Sequence, residues 1–455
     1  MIELPLAILW FGAVIFALLD GTNLKVAWAS VAVLIAALVS IVILGVSVYQ
    51  DGTQSVTAGG WAPGIGITLR VDMLGLVFAV LSISVLIMAL AFEVMQDVRA
   101  RVFPALVMFM AIGLTGLCFT GDAFNFYVFF EIAMISAYIM TGYGETPRQF
   151  RAAFTFTVVN LLGSVFFLIG ISALYHNTGW LDMNLIAQQM PQVARNPAIL
   201  SATFIFVAFS IKLGLFPFHF WLPAVYTGTR GPVAAMLSGA LANIGTYGIL
   251  RFGGEIFPRE LEKSSMVLMV LASTSIVYGG LQALSRRSAN EVLAYSSIGQ
   301  VGYILAAIAV GGKVGFSAAI VFAVLNSLNK TLLFLSAGQR GVIVGTGFAI
   351  GAFSVAGVPP VGGFIGKLAV FRAAAEEQSI FLFSLFLVGS ALSFVYMFQL
   401  YRRRQWMDES EEEHRVGTFA VIGVIAVTIV AIGIWPEPLL VLSERAADVL
   451  PGAAR

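Results

Sequence analysis

The sequence predicts an all-α integral membrane protein: a bundle of about fourteen transmembrane helices, two of them broken. Three observations lead there. Of 455 residues, 59% are hydrophobic and 11% are charged, and mean hydropathy is +0.94; a soluble domain carries about 25% charged residues. Apolar runs of roughly twenty residues recur from end to end, each long enough to cross about 30 Å of hydrocarbon. Backbone in lipid must satisfy its own hydrogen bonds, so each run reads as a helix, and the strand-length alternation of a membrane barrel is absent.

Taken in order, the spans fall at roughly 2–19, 27–49, 72–95, 102–120, 123–143, 150–175, 197–222, 232–252, 264–284, 291–311, 315–338, 343–375, 379–401 and 416–436. The opening MIELPLAILWFGAVIFALLD carries Glu3 and lacks a basic n-region, so it reads as the first span and not as a cleaved leader. Span 7 is interrupted by Pro217 and Pro223, and span 12 by Pro359 and Pro360. Proline removes a backbone donor and pushes its predecessor out of the α region, so both spans should be broken helices. Residues 176–196 form the longest polar connection in the middle, with room for a short surface helix. The charged stretch RRRQWMDESEEEHR, 402–415, reads as a solvated loop.

Lys and Arg set the orientation. The odd-numbered connections carry Lys25, Arg99, Arg101, Arg148, Arg151, Arg230, Arg286, Arg287, Arg340, Arg402, Arg403, Arg404 and Arg415. The other side, tails included, carries only Arg70, Arg195, Arg251, Arg259, Lys263, Lys313, Arg445 and Arg455. The excess places the odd connections in the cytoplasm and both termini outside. Composition also excludes several classes. A net charge of +1 gives no reason to expect nucleic acid. The one cysteine, Cys118, lies in an apolar run and has no internal partner. His176, His219 and His414 are too scattered for a metal cluster.

Four ionisable residues lie at membrane depth, where a charge costs about 2.5–3.5 kcal/mol on insertion scales and marks a candidate site. Glu131 sits in GDAFNFYVFFEIAMISAYIM, with Asn125 and Tyr138 as its nearest polar helix-mates. Lys212, in FVAFSIKLGLFPFHFWLP, precedes the first break and is the natural partner for Glu131. Lys330, in VLNSLNKTLLFLSAG, shares a helix face with Asn326 and Ser327, making a polar stripe that must face protein or water. Lys367 follows the second break in GVPPVGGFIGKLAVF. That string is not a phosphate loop, because Val361 and Leu368 stand where the GxxxxGK[ST] pattern needs Gly and Ser or Thr. His219 reads as a hydrogen-bonded structural residue. Static ion pairing, carbonyl binding and snorkelling are the structural alternatives for the four. Charges in such places point to ion or proton translocation.

The two broken spans lie about 145 residues apart, and paired interruptions are the usual pointer to inverted repeats. On this count spans 4–8 (about 102–252) and spans 9–13 (about 264–401) form two five-helix repeats within a single membrane domain, 1–455.

GDAFNFYVFFE, RAAFTFTVVNLLGSVFFLIGISALY, IKLGLFPFHFWLP, GTYGILR, LAYSSIGQVGY, LNKTLLFLSAG and GVPPVGGFIGK together resemble the antiporter-like membrane subunits of complex I and of Mrp-type cation/proton antiporters. The GDAFNFYVFFE form and WPEPLL near the last span look most like the D-subunit branch of the Mrp family. The resemblance covers nearly the whole chain. It implies a fourteen-helix subunit of a larger membrane complex, with a watered line of lysines and one glutamate along which protons move. By position Glu131 matches the helix-5 glutamate, Lys212 its helix-7 partner, Lys330 the helix-11 lysine and Lys367 the helix-12 ionisable residue. Two positions depart. Asn243, in LANIGTYGIL, stands where the family usually has Lys or His, and Asn326 stands where it often has His. Asparagine can hold water but cannot take up and release a proton.

The resemblance implies a proton-translocating subunit of a multisubunit Na⁺/H⁺ antiporter: a transporter with no reaction of its own, in the inner (plasma) membrane, working with partner subunits, protons and Na⁺. The alternative is a proton-pumping subunit of a complex I-like or hydrogenase-type redox assembly. A third reading is a coupling or scaffold subunit whose relay Asn243 and Asn326 interrupt. The chain itself holds no cysteine cluster, dinucleotide fingerprint or haem motif, so no cofactor is expected on it.

Overall fold

The computed structural model describes residues 1–62, 64–96, 98, 100–144, 146–406 and 416–454, without the side chains of 404–406 and 416. Most of the charged connection 402–415, with Arg404, His414 and Arg415, lies outside the described side chains, as do Arg99 and Arg455.

The chain is almost wholly helical: α1 (Glu3–Leu18), α2 (Leu24–Asp51), α3 (Met73–Gln96), α4 (Phe103–Cys118), α5 (Ala123–Gly142), α6 (Pro147–Thr178), α7 (Met183–Gln189), α8 (Arg195–Leu213) and α9 (Trp221–Gly228). Then follow α10 (Gly231–Ile256), α11 (Pro258–Lys263), α12 (Ser265–Ser285), α13 (Ala289–Val310), α14 (Gly312–Ala337), α15 (Val342–Ala356), α16 (Gly362–Glu376), α17 (Ile380–Trp406), α18 (Val416–Ile434) and α19 (Glu437–Asp448). Among the described residues eleven helical segments are long and apolar enough to cross a membrane, counting α8–α9 as one. The apolar helices α1, α4 and α15 have 16, 16 and 15 residues. Sixteen residues span about 24 Å, short of a full crossing.

Two features were not expected, a hairpin and a pair of π-helical stretches, and the short helix expected in the 176–196 connection is present. A two-stranded hairpin pairs Gln54–Thr57 with Thr68–Val71, in register Gln54 to Val71, and sits between α2 and α3. The polar connection before α8 holds the short helix α7, capped by Asp182, whose carboxylate accepts from the Asn184 and Leu185 amides. Helix α10 carries two π-helical stretches, Leu237–Leu241 and Ile249–Ile256. Such widened turns favour functional positions, and Asn243 lies between these two.

Helices α10, α13 and α14 are apolar and nearly all buried, which makes them the centre of the bundle. By contrast α2 and α18 bury about a third of their apolar windows, and residues such as Phe11, Ile43, Phe154, Leu387 and Val427 face outward. The outward surface is thus as apolar as the interior, the pattern lipid demands.

Both proline-marked breaks exist, and the freed backbone is satisfied by protein. Helix α8 stops at Leu213, Gly214 adopts φ +66°, and α9 starts at Trp221. The Trp221 indole donates to the Ile211 carbonyl at 2.9 Å, and Ser275 Oγ accepts from the Phe216 amide at 3.1 Å. Helix α15 stops at Ala356, with Gly357 at φ +82°. The Gly363 amide opening α16 donates to Ser354 Oγ at 2.9 Å.

Candidate functional site

The four predicted residues are carried by α5, α8, α14 and α16, and among the described residues none of them makes a carboxylate–ammonium contact within 4.0 Å. Lys212 is buried, and its Nζ donates to the Asn160 backbone carbonyl of α6 at 3.1 Å. The same Nζ lies 4.2 Å from the centre of the Phe130 ring. Glu131 is half-buried, with no nitrogen of Lys212 within 4.0 Å, and its Oε1 has no hydrogen-bond partner. The expected direct pair is therefore open in this state. Phe130 stands beneath the lysine instead, and cation–π attraction is worth up to about 2 kcal/mol in a dry site.

Beside this gap lie further unpartnered polar atoms, Tyr138 Oη and Asn160 Oδ1. A cavity lined by Met134, Phe156, Asn160, Lys212, Trp221 and Tyr226 has room for about one water centre, ≈ 10 Å³. Buried polar atoms without protein partners mark where water belongs. Asn125 is not part of this group. Its amide nitrogen donates to Thr120 at 3.0 Å, so it is committed to the start of α5.

Asn243 and Ser327 bridge α10 and α14. The Asn243 amide donates to Ser327 Oγ at 2.9 Å and to the Gly239 carbonyl at 2.9 Å. Ser327 sits one turn before Lys330, which is fully buried. Asn326 accepts no hydrogen bond from Lys330: its Oδ1 is buried without a partner. Lys330 Nζ donates to the Leu293 carbonyl at 3.1 Å and to Ser296 Oγ at 2.9 Å, both on α13. Ser296 Oγ lies 3.1 Å from Tyr396 Oη of α17, and the Gln300 amide donates to the same phenol at 3.2 Å.

Lys367 Nζ donates to the Ala356 carbonyl, at the broken end of α15, at 2.8 Å and to Ser393 Oγ of α17 at 2.5 Å. A cation at a helix C-terminus is favoured by the helix dipole. His219 is half-buried between the rings of Phe216 and Tyr278, at 5.3 and 4.5 Å, and its Nδ1 has no hydrogen-bond partner, so the hydrogen bond that its structural reading expected is not made at that nitrogen.

A second charged cluster escaped the sequence reading. Arg70, on the hairpin, forms a two-pronged contact with Glu255 at 2.7 Å. Arg251 donates to Asp72 at 2.7 Å, to Glu255 at 3.0 Å and to Tyr247 Oη at 3.1 Å. All four charged residues are buried and line the floor of a cavity of about 860 Å³ at the hairpin end. Burial acts to raise the Asp72 carboxyl, but the Arg251 charge and hydrogen bond, then Arg70 and the Gly75 amide, outweigh it and hold the group below its usual range. The visible signal was the Arg251–Glu255 spacing of four. Its partners lie 179 and 185 positions away, beyond any local pattern.

Comparison with known proteins finds similar membrane subunits. The family model described as "NADH:quinone oxidoreductase/Mrp antiporter, TM" matches residues 120–342, which include Glu131, Lys212 and Lys330 but not Lys367. A relative from Alkalihalophilus pseudofirmus, the D-subunit of a Na(+)/H(+) antiporter, is 29% identical over 433 residues, covering 89% of this chain and 88% of the relative. A chain of the Mrp complex from Dietzia sp. superposes with TM-score 0.90 at 23% identity, covering 99% of this chain and 97% of that one. A chain of the archaeal membrane-bound sulfane sulfur reductase superposes with TM-score 0.86 at 26% identity, covering 100% and 97%.

Proposed function

We propose that the chain belongs to the family of antiporter-like membrane subunits that Mrp antiporters and NADH:quinone oxidoreductases share, and that it is a proton-translocating subunit of a multisubunit Na⁺/H⁺ antiporter. It is a transporter subunit with no chemical reaction of its own, and it works within a larger membrane assembly. The observation that carries the reading is the set of three buried lysines, Lys212, Lys330 and Lys367, each held by a backbone carbonyl and none by a carboxylate. Backbone carbonyls are ordinary partners of a cation at membrane depth, whether it is static or functional; what favours transfer here is that no bound counter-ion has to be displaced when the proton leaves. A lysine held by neutral dipoles can exchange a proton without breaking an ion pair.

In this reading Glu131 and Lys212 form the two-state element of the first half. Water at Tyr138 and Asn160 joins them when the carboxylate and the ammonium approach. The Asn243–Ser327 bridge carries hydration towards Lys330, and Lys367 serves the exit. The two halves, spans 4–8 and 9–13, are inverted repeats, a reading supported by the matching breaks after Leu213 and after Ala356. The subunit sits in the plasma membrane with both termini outside. Orientation is supported by the Lys and Arg bias; Arg70 and Arg251 on the sparser side and Arg230 on the richer side are paired within the protein, and discounting all three leaves the excess in place.

The test is reconstitution of the assembled complex in vesicles. Cation-driven proton flux should disappear in Glu131→Ala and in Lys212→Ala; flux retained in both rejects their role. The likeness to a respiratory assembly favours one alternative, a proton-pumping subunit of a redox-driven complex. Neighbouring genes distinguish the two: small Mrp-like subunits support the antiporter, iron–sulfur and flavin subunits the redox complex.

A further inference from the structure

We infer that the proton passes between Lys330 and Lys367 along a ladder of hydroxyls supplied by α13 and α17: Ser296, Tyr396 and Ser393, with Gln300 orienting the phenol. The inference rests on the proton-translocating reading above and adds a route that the four charged residues do not define.

Both lysines are already tied to this ladder. Lys330 Nζ donates to Ser296 Oγ at 2.9 Å, and Ser296 Oγ lies 3.1 Å from Tyr396 Oη, a contact either oxygen can donate. At the far end Lys367 Nζ donates to Ser393 Oγ at 2.5 Å. Ser393 precedes Tyr396 by three residues on α17, so the two side chains share a helix face. All four polar side chains of the ladder are buried: Ser296, Gln300, Tyr396 and Ser393. Gln300 donates its amide proton to the phenol oxygen, which leaves the phenol's own proton free to be passed on. The alternative carrier on the lysine's own helix, Asn326, has an Oδ1 that accepts no hydrogen bond from Lys330, and it cannot take up and release a proton.

The step balances. Lys330, as ammonium, gives a proton to Ser296 Oγ while the Ser296 hydroxyl proton moves to Tyr396 Oη. The phenol's own proton moves one turn along α17 to Ser393 Oγ, through one water. The Ser393 hydroxyl proton, which in this structure is donated to the Ser390 carbonyl at 2.8 Å, turns to the neutral amine of Lys367 and passes to it, so the amine accepts where the ammonium now donates. Each hydroxyl receives one proton and gives one, Lys330 ends as amine and Lys367 as ammonium. The hydroxyls then turn back for the next passage.

The experiment uses the assembled complex in vesicles and compares wild type with Tyr396→Phe, Ser296→Ala, Ser296→Thr and Lys212→Ala. Tyr396→Phe and Ser296→Ala should cut maximal proton flux by at least about tenfold, the scale on which a positioned proton-transfer group acts, with the apparent KM for the cation unchanged. Ser296→Thr keeps the hydroxyl and should restore flux, and a solvent deuterium effect on flux should be larger in it than in wild type. Complex assembly on native gels separates transfer defects from folding defects. Wild-type flux in both Tyr396→Phe and Ser296→Ala, with Lys212→Ala inactive, overturns the ladder and leaves the proposed function standing. Equal losses in Ser296→Ala and Ser296→Thr, in complexes that assemble normally, also overturn it by showing that packing and not the hydroxyl matters. Absence of proton flux in wild type overturns both readings.

Discussion

A single residue, Asp72, shows how differently this protein treats its two kinds of buried charge. Asp72 and Glu255 meet Arg70 and Arg251 within 2.7–3.9 Å, a closed network that fixes the hairpin against the end of α10. Among the described residues, no carboxylate lies within 4.0 Å of the lysines at the centre. Removing one member of a buried ion pair leaves the other uncompensated and costs about 3–5 kcal/mol. Asp72→Asn should therefore lower the thermal stability of the purified protein, by about 3 kcal/mol, while Lys330 keeps its contacts. The pH dependence follows from sign. The folded carboxyl is held below its ordinary value, so its stabilisation is complete above the unfolded pKa of about 3.9 and fades as pH falls through the folded one. Melting followed from pH 7 down to pH 3 should show an acid loss in wild type that is smaller in Asp72→Asn; the same slope in both proteins would remove Asp72 from the network's energetics. Legibility at this scale tracks rarity. Glu131, Lys212, Lys330 and Lys367 stood out because a charge in an apolar run is rare. Ser296, Ser393 and Tyr396 did not, because isolated serines and tyrosines are ordinary in membrane helices and satisfy themselves locally. Only the fold shows that these three stand between two lysines.

At the scale of elements, the two breaks were legible because proline and glycine act locally on the backbone. What was not legible is which groups the breaks free and where those groups find partners. At the second break the answer is Lys367 itself, which takes the Ala356 carbonyl. Gly357 makes this geometry available twice over. Its φ of +82° suits glycine, and a Cβ there would stand 2.5 Å from Lys367 Cδ. Gly357→Ala should strain the turn and push the lysine off the α15 terminus. The expected outcome is a fall in proton flux of about tenfold or more with normal complex assembly, read in the same vesicle assay, because 1 Å of misplacement at a transfer site can cost about 100-fold. Unchanged flux would detach the broken end of α15 from the transfer step. The hairpin escaped the reading for the opposite reason. Its strands are four residues long, too short for alternation to rise above the noise of a glycine-rich connection. The π-helical turns of α10 have no compositional mark at all; they follow from packing, and they set Asn243 against Ser327.

For the molecule as a whole, hydropathy read out the class of fold because every span must be apolar whatever it does. The short helices α1, α4 and α15 show the limit of that reading: apolar length alone does not fix how each crosses. Orientation rests on a different physical quantity, the asymmetry of loop cations, and it is open to direct measurement. The single native cysteine, Cys118, is buried, so one conservative change, Cys118→Ala, clears the background. Thr53, at the base of the hairpin, and Arg287, between α12 and α13, are both exposed and belong to opposite ends of the bundle. On the proposed orientation a membrane-impermeant maleimide should label Thr53→Cys in intact cells and should label Arg287→Cys only after permeabilisation. The reverse pattern would turn the subunit over. Turning it over would also exchange the two aqueous faces, so that the cavity at the Arg70–Asp72–Arg251–Glu255 cluster would open to the cytoplasm and Lys367 would serve entry in place of exit. The direction of the proposed proton movement through the lysines therefore depends on this one labelling result as much as on any residue within the proposed path.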